Sequence, residues 1–123
     1  MDKRKALGEF GESVAVAHLT RSGHRLLARR WRCHLGEIDL VTQDGATLVF
    51  VEVRTRRCSA AGFAEESVGR AKRARLVRLA YAYLEAAAHP EPSWRIDVVA
   101  VDVDGAGRVA RINHIPSAIE DVL

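Results

Sequence analysis

The 123-residue sequence predicts an α/β fold in which a mixed β-sheet is flanked by helices, with elements in the order α-β-β-β-α-β-β-α. A helical repeat of apolar residues opens the chain, and two β-rich segments joined by an Asp-Gly turn follow it. A second helical stretch then separates this hairpin from two further strands. Three strands before the second helix and two after it favour a mixed sheet covered by helices.

The first helix is predicted over residues 7–21. Its apolar stripe recurs at helical spacing: Leu7, Phe10, Val14 and Ala17. Gly23 supplies a stop signal just beyond the helix. Residues 24–32 are predicted as the first strand, although this segment contains several arginines.

The clearest elements are two β-rich segments, residues 38–41 and 47–53, which are separated by a short stretch containing Asp44-Gly45. Asp-Gly between two such segments is a strong signal for a hairpin. A loop containing glycine and alanine is expected at residues 58–63.

The second half of the chain begins with a long helix, predicted over residues 64–88 and ending before Pro90. The segment 94–101 is almost continuously apolar, which is typical of an interior strand. A short strand near residues 108–114 follows, and Pro116 is expected to open a brief terminal helix.

Composition indicates one globular domain over residues 1–123, with 48% hydrophobic and 28% charged residues. No apolar run approaches the roughly 18 residues needed to cross a bilayer. The charged N-terminus is not followed by the apolar stretch of a signal peptide. We therefore expect a cytoplasmic protein without a membrane partner. Cys33 and Cys58 lack zinc-ligand spacing, which disfavours a sulfur-based metal site.

The basic residues are clustered, although the formal net charge is only +3. The two clusters are Arg54, Arg56 and Arg57, and then Arg70, Lys72, Arg73, Arg75 and Arg78. Basic clusters of this kind suit a polyanion such as nucleic acid. A solvated helix face would explain the second cluster equally well.

The hairpin predicts a pair of carboxylates. Regular alternation places Ile38 and Leu40 on one face of the first strand and Asp39 on the other. A two-residue loop pairs position 39 with position 50, and a four-residue loop pairs it with position 52. Either register puts Asp39 on the face that carries Glu52 and Arg54. A divalent cation would relieve the repulsion between the two acids; alternatively, Glu52 and Arg54 form a surface ion pair.

Glu12 in the first helix lies on a second apolar stripe, with Val16 and Leu19 at helical spacing. A carboxylate in this position needs a partner. The partner is either a cap or an arginine, or else Glu12 is a third acid at a metal site.

Several motifs together carry a resemblance to a known family. They are Gly11-Glu12, Gly36-Glu37-Ile38-Asp39-Leu40, Val49-Phe50-Val51-Glu52-Val53-Arg54-Thr55-Arg56, Lys72, Arg95-Ile96-Asp97-Val98-Val99 and His114-Ile115. They cover nearly the whole chain and resemble the YraN family of predicted endonucleases. That family is similar to archaeal-type Holliday junction resolvases in the PD-(D/E)xK superfamily.

The resemblance implies a restriction-endonuclease-like core with the active site on a three-stranded meander. Asp39, Glu52 and the Val53 carbonyl would hold Mg²⁺ or Mn²⁺, and Glu12 would complete the acidic cluster. The residues implied to position the nucleic-acid backbone are Arg56, Arg57, Arg70 and Arg73. The implied activity is hydrolysis of DNA, including branched DNA, and a symmetric junction substrate would favour a homodimer.

Arg54 departs from the superfamily pattern, which usually has lysine at this position. Arginine stays protonated and cannot serve as a base, although it can bind phosphate through two hydrogen bonds. Three interpretations remain. Arg54 stabilises the transition state, Lys72 supplies the missing ammonium group, or the site has lost hydrolysis and retains binding. The competing functions are therefore a nuclease, a non-catalytic nucleic-acid-binding module and a protein-interaction domain.

Overall fold

Five strands and two helices make up the part of the chain that the computed structural model describes, residues 2–57, 68–88 and 93–119. The elements are α1 (Lys3–Arg21), β1 (Arg25–Cys33), β2 (Gly36–Asp44), β3 (Thr47–Arg57), α2 (Arg70–Ala86), β4 (Ser93–Val103) and β5 (Val109–Ile119). Within these ranges, no helix combines the length and apolar character that crossing a membrane requires.

The described strands form a five-stranded sheet in the order β1-β2-β3-β4-β5. Strands β3 and β4 run parallel, and the other neighbouring pairs are antiparallel. A parallel pair needs a long crossover, and the connection that contains α2 provides it. The predicted α/β fold with a mixed, helix-flanked sheet is thus confirmed, and the apolar strand β4 lies in the interior of the sheet.

Helices α1 and α2 cover opposite faces of the sheet, and each helix packs on its own core. Strand β3 supplies both cores by alternation: Leu48 and Phe50 pack towards α2, whereas Val49 and Val51 pack towards α1. Charged side chains near the middle of β3 are therefore held between two apolar layers.

Helix α1 begins at Lys3 rather than at residue 7, because Asp2 caps it. Its Oδ1 accepts a 2.9 Å hydrogen bond from the backbone N–H of Arg4. The predicted apolar stripe of this helix is confirmed only in part: Leu7 and Val14 pack against the core, whereas Phe10 is 40% exposed and Ala17 is also exposed. The buried face instead consists of Gly11, Ala15 and Leu19.

Small residues explain this difference, because they let α1 approach the sheet closely. A Cβ atom placed on Gly11 would lie 2.7 Å from the Cβ atom of Thr55, which is too close for any larger residue. Apolar periodicity does not register a glycine, so the predicted stripe lies beside the buried face and not on its centre.

Helix α2 lies within the predicted range and buries Leu76, Val77, Leu79 and Ala80. Residues 64–67, where the helix was predicted to begin, lie outside the described part of the chain, as does the predicted loop at residues 58–63.

The brief helix predicted to open at Pro116 is not found there, because strand β5 continues through Pro116 to Ile119. Strand β5 is at the edge of the sheet, where proline can be accommodated without loss of a ladder hydrogen bond. Ile119 pairs with Ile96 and is 6% exposed, so burial favours the extended strand. Residues 120–123 are outside the described ranges.

Candidate active site

Side-chain alternation is interrupted at Asp39 of β2. Ile38 packs in the core beneath α2, whereas Leu40 packs in the core beneath α1. The expectation that Ile38 and Leu40 share a face is therefore wrong. The register of β1 and β2 places Arg30 opposite Asp39, and Arg30 has a φ angle of 52°. Both strands are irregular at the same point.

Strands β2 and β3 adopt the register that pairs position 39 with position 52, but the four-residue loop expected for this register is wrong. Pairing continues to Asp44 and Thr47, so the loop is the two residues Gly45 and Ala46. Leu40 pairs with Val51, and one further step aligns Asp39 with Glu52. The regular pairing ends at this point. The backbone N–H of Val53 donates a 2.8 Å hydrogen bond to Asp39 Oδ2, so the Asp39 side chain takes the place of a ladder acceptor.

Asp39 and Glu52 form a pair of adjacent acids. Burial, the charge of Glu52 and a hydrogen bond with Glu52 are the main causes that raise the pKa of the Asp39 carboxyl to about 8. The hydrogen bond from Val53 lowers the pKa, while the charge of Glu12 raises it further. Glu52 itself is 2% exposed. Two acids held in this way repel each other when both are ionised, unless a cation compensates the charge.

Two cationic groups contact Glu52 from the α2 side. Lys72 Nζ lies 3.4 Å and an Arg54 guanidinium nitrogen lies 3.5 Å from Glu52 Oε2. Their side chains are 37% and 32% exposed, respectively. Both cations can therefore contact a ligand in solution while they remain bonded to the buried acid. The structure brings together Asp39, Glu52, Arg54 and Lys72, which the sequence reasoning had assigned to the site.

Glu12, a residue of α1, lies on the other side of Asp39. It accepts a 2.9 Å hydrogen bond from Arg30 Nε, and a second Arg30 nitrogen lies 3.8 Å from Glu9. A cavity of about 270 Å³ is lined by these three residues and by Asp39, among others. Glu12 thus has the arginine partner that was one of its two predicted alternatives, and it also faces Asp39.

Arg30 is the residue of this site that the sequence reasoning missed. A left-handed conformation costs a residue with a side chain roughly 1–2 kcal/mol, so surrounding contacts must hold it there. In an arginine-rich chain, nothing in the sequence distinguishes Arg30 from its neighbours.

The donor set at the site fits a hard divalent cation. Among the residues that the structure describes, no group of three or more His, Cys, Asp or Glu side chains is arranged to hold a metal ion. Mg²⁺, however, binds through one or two carboxylates and takes its other ligands from water and substrate phosphate. Asp39 and Glu52 could hold such an ion. The Val53 carbonyl stays a predicted ligand, because the contact found for this residue uses its N–H.

The predicted nucleic-acid-binding arginines lie on two sides of the molecule. Arg70 and Arg73 are exposed in the first turn of α2. Arg56 is on the α2 side of the sheet by strand alternation. Arg57 is on the opposite side, where it lines a groove beside α1. Arg56, Arg70 and Arg73 therefore lie on the same side of the sheet as Glu52.

A second buried polar network lies on β4 and β5, and the sequence reasoning gave it no role. Asp97 is fully buried and accepts hydrogen bonds from Arg95 Nε and Ser117 N, both at 2.9 Å. The Nε2 atom of His114 lies 2.7 Å from the second oxygen of Asp97. Burial raises the pKa of Asp97, but these hydrogen bonds outweigh it and hold the pKa below its ordinary value. The network ties β5 to β4.

Fold and site together define an α/β protein with a mixed, helix-flanked sheet and a cation-bonded carboxylate pair on a three-stranded meander. The sequence model of UPF0102, described as an uncharacterised protein family, matches residues 11–101. The chain belongs to this family, which is the YraN family that its motifs resemble.

Close relatives carry the same family description. A UPF0102 protein from Roseiflexus castenholzii is 52% identical over 122 residues, which cover 97% of each chain. A UPF0102 protein from Chloroflexus aurantiacus is 47% identical over 117 residues, or 94% of each chain. Another, from Pelotomaculum thermopropionicum, is 45% identical over 117 residues. These similarities establish the family but name no activity.

Proposed function

We propose that the protein is a Mg²⁺- or Mn²⁺-dependent endonuclease that hydrolyses phosphodiester bonds in DNA, including branched DNA. The observation that carries the proposal is the pair formed by Asp39 and Glu52. Burial and mutual repulsion raise the pKa of Asp39 to about 8, and a divalent cation would relieve that repulsion. The resemblance of the site motifs to nucleases supports the same conclusion.

The residues around the pair suit hydrolysis of a phosphodiester. A bound divalent cation would stabilise charge on the scissile phosphate and lower the pKa of the attacking water. Asp39, oriented by the Val53 N–H, and Glu52 would hold the cation. Arg54 can bind two phosphate oxygens at once but cannot exchange a proton. Lys72 would supply, beside Glu52, the ammonium group that Arg54 does not provide.

The basic groups near the pair suit a DNA backbone. Arg56, Arg70 and Arg73 lie on the α2 side of the sheet, where Glu52 also lies. Contacts from arginine to phosphate position a duplex without reading its sequence. We therefore expect binding that weakens steeply as the salt concentration rises.

The direct test is cleavage of labelled linear, nicked and four-way DNA in the presence of Mg²⁺ or Mn²⁺. We expect the wild type to cut and the Asp39→Ala and Glu52→Ala variants to lose cleavage. Asp104→Ala, which removes a carboxylate in the turn between β4 and β5, serves as the control and should cut like the wild type. Equal cleavage by all four proteins, or none by the wild type, would refute the proposal.

A non-catalytic DNA-binding module is the second candidate. Arg54 in place of lysine and the ion pair between Glu12 and Arg30 favour it, because each changes the expected catalytic set. This module would bind DNA without needing Asp39 or Glu52, and Arg54→Lys would create cleavage. Cleavage by the wild type that depends on Asp39 would exclude it. Submicromolar DNA binding at physiological salt would exclude a protein-interaction domain.

A further inference from the structure

The outer face of α2 combines a row of basic residues with an exposed aromatic ring. No acidic residue occurs between Arg70 and Leu84, and the basic residues in this stretch are Arg70, Lys72, Arg73, Arg75 and Arg78. Tyr81 follows Arg78 at a spacing of three residues, so the two side chains are neighbours on the helix surface. Tyr81 is 46% exposed.

The Tyr81 ring packs against aromatic side chains that are anchored in the core. Its centroid lies 5.3 Å from that of Trp94, with an interplanar angle of 75°. Trp94 in turn packs edge-on against Phe50, at 5.8 Å, and Phe50 is 1% exposed. Because Trp94 already limits the movement of Tyr81, stacking of a ligand on the tyrosine would cost little additional side-chain entropy.

We propose that the outer face of α2 binds a single-stranded arm of the DNA substrate, with Tyr81 stacking on an unpaired base. Single-stranded nucleic acid is bound by a positive groove that follows the backbone together with aromatic rings that stack on bases. Paired bases inside a duplex are already stacked on their neighbours, so they offer no base face to an exposed ring. The proposal rests on the nuclease function for its substrate and narrows that substrate to flapped or splayed DNA.

The helix also sets the length of arm required. Lys72, which contacts Glu52, is nine residues before Tyr81, or about 13–14 Å along the helix at 1.5 Å per residue. Nine residues at about 3.6 per turn also place Tyr81 half a turn around the helix from Lys72, so the arm must cross the outer face of α2. At about 3.4 Å per stacked nucleotide, it needs at least about four nucleotides, so an arm of two would not reach Tyr81, whereas an arm of eight is long enough for this rise.

The test is fluorescence anisotropy without divalent cations, so that no cleavage occurs. The probes are a blunt DNA duplex and the same duplex with a thymidine arm of two or eight nucleotides. Tyr81→Ala should weaken binding of the eight-nucleotide arm roughly five- to a hundred-fold, whereas Tyr81→Phe should bind like the wild type. Binding of the blunt and two-nucleotide probes should be the same for the wild type and the two Tyr81 variants.

Three further variants complete the test. Tyr81→Leu keeps an apolar cover on Trp94 but cannot stack, so it should lose arm binding as Tyr81→Ala does. Arg78→Ala should weaken binding and lower the slope of log K against log salt by about one. Arg108→Ala removes an exposed cation from the turn between β4 and β5, away from α2. It should change arm binding little.

The outcomes separate this proposal from the nuclease function. Unchanged arm binding in Tyr81→Leu, or an equal loss on the blunt duplex, overturns the single-strand site even where the wild type cleaves DNA. Arm binding that depends on Tyr81 and on arm length supports the site even where no substrate is cleaved, and in that case only the nuclease function fails.

Discussion

The metal-free protein should gain stability when the charge of Asp39 is removed, and the gain should depend on pH. The wild-type carboxyl has a pKa of about 8 against an ordinary value of 3.8. Between these two pH values the folded state keeps a proton that the unfolded state releases. The stability of the wild type therefore falls as the pH rises through this window. In Asp39→Asn this loss is absent, because asparagine does not titrate.

The size of the effect follows from the pKa. A rise from 3.8 to about 8 corresponds to roughly 5–6 kcal/mol at 1.36 kcal/mol per pKa unit. Relaxation of the site and entry of water reduce such penalties, and the Val53 N–H would donate to a neutral amide oxygen rather than to a carboxyl. We therefore expect a gain of about 2–4 kcal/mol at pH 8 and less than about 1 kcal/mol at pH 4.

Urea unfolding of the wild type and the variant, from pH 4 to pH 9 in the presence of a chelator, measures this gain. The matched control is Glu37→Gln on the same strand. The Glu37 side chain is 35% exposed and pairs with a more exposed arginine, so its change should stay within about 0.5 kcal/mol. A gain for Asp39→Asn that is equal at pH 4 and pH 8, or a loss at pH 8, would show that the two acids do not repel each other as described.

Three further predictions concern the framework of the site, and each is measured by urea unfolding. Gly11→Ala should lower the free energy of unfolding by about 1–3 kcal/mol, because the new Cβ would overlap Thr55. Gly8→Ala, whose Cβ meets no atom within 4 Å, is the control and should raise it by about 0.5–1 kcal/mol. A change of the same sign in both variants would contradict the close contact. Asp97→Asn should cost about 3–5 kcal/mol, because it leaves buried cationic and backbone donors without their carboxylate, and a loss below about 1 kcal/mol would contradict that role. Burial lowers the pKa of His24 below 6.5, so the unfolded state binds the proton first, and the contribution of His24 to stability should fall as the pH drops below about 6.5, opposite in sign to that of Asp39. In the Asp39→Asn background, which removes the Asp39 contribution, His24→Gln should flatten this part of the pH profile, and an unchanged profile would exclude His24 as its source.

Local sequence signals were sufficient for most of the fold. The Asp-Gly turn and the flanking β-branched residues predict the hairpin of β2 and β3, and regular pairing runs to Asp44 and Thr47. The continuous apolar run of β4 predicts an interior strand, because both of its faces are covered. These signals succeed where a pattern over a few residues determines burial.

The same signals failed where contacts distant in sequence decide the structure. Pro116 is accommodated in β5 because the strand lies at the edge of the sheet and Ile119 is buried, and a local helix signal carries no information on either point. The buried face of α1 is set by Gly11 against Thr55, a contact between a helix and the third strand. The left-handed conformation of Arg30 is likewise a consequence of tertiary structure.

For the candidate site, side-chain alternation along the strands predicted which residues are neighbours but not the geometry of their contacts. Alternation alone would place Asp39 on one face of a regular sheet, within reach of Glu52 but separated from Glu12. Because the strands are irregular at Arg30 and Asp39, the Asp39 carboxyl instead interacts electrostatically with Glu52 on the α2 side and with Glu12 on the α1 side. Arg30 neutralises Glu12, and Lys72 contacts Glu52, so each outer acid has its own cation. The described hydrogen-bond partners of Asp39 are instead the Val53 N–H and the Glu52 carboxyl. Asp39 is therefore the acid at which an added divalent cation would gain most, and its substitution is the most discriminating test of the proposed metal site.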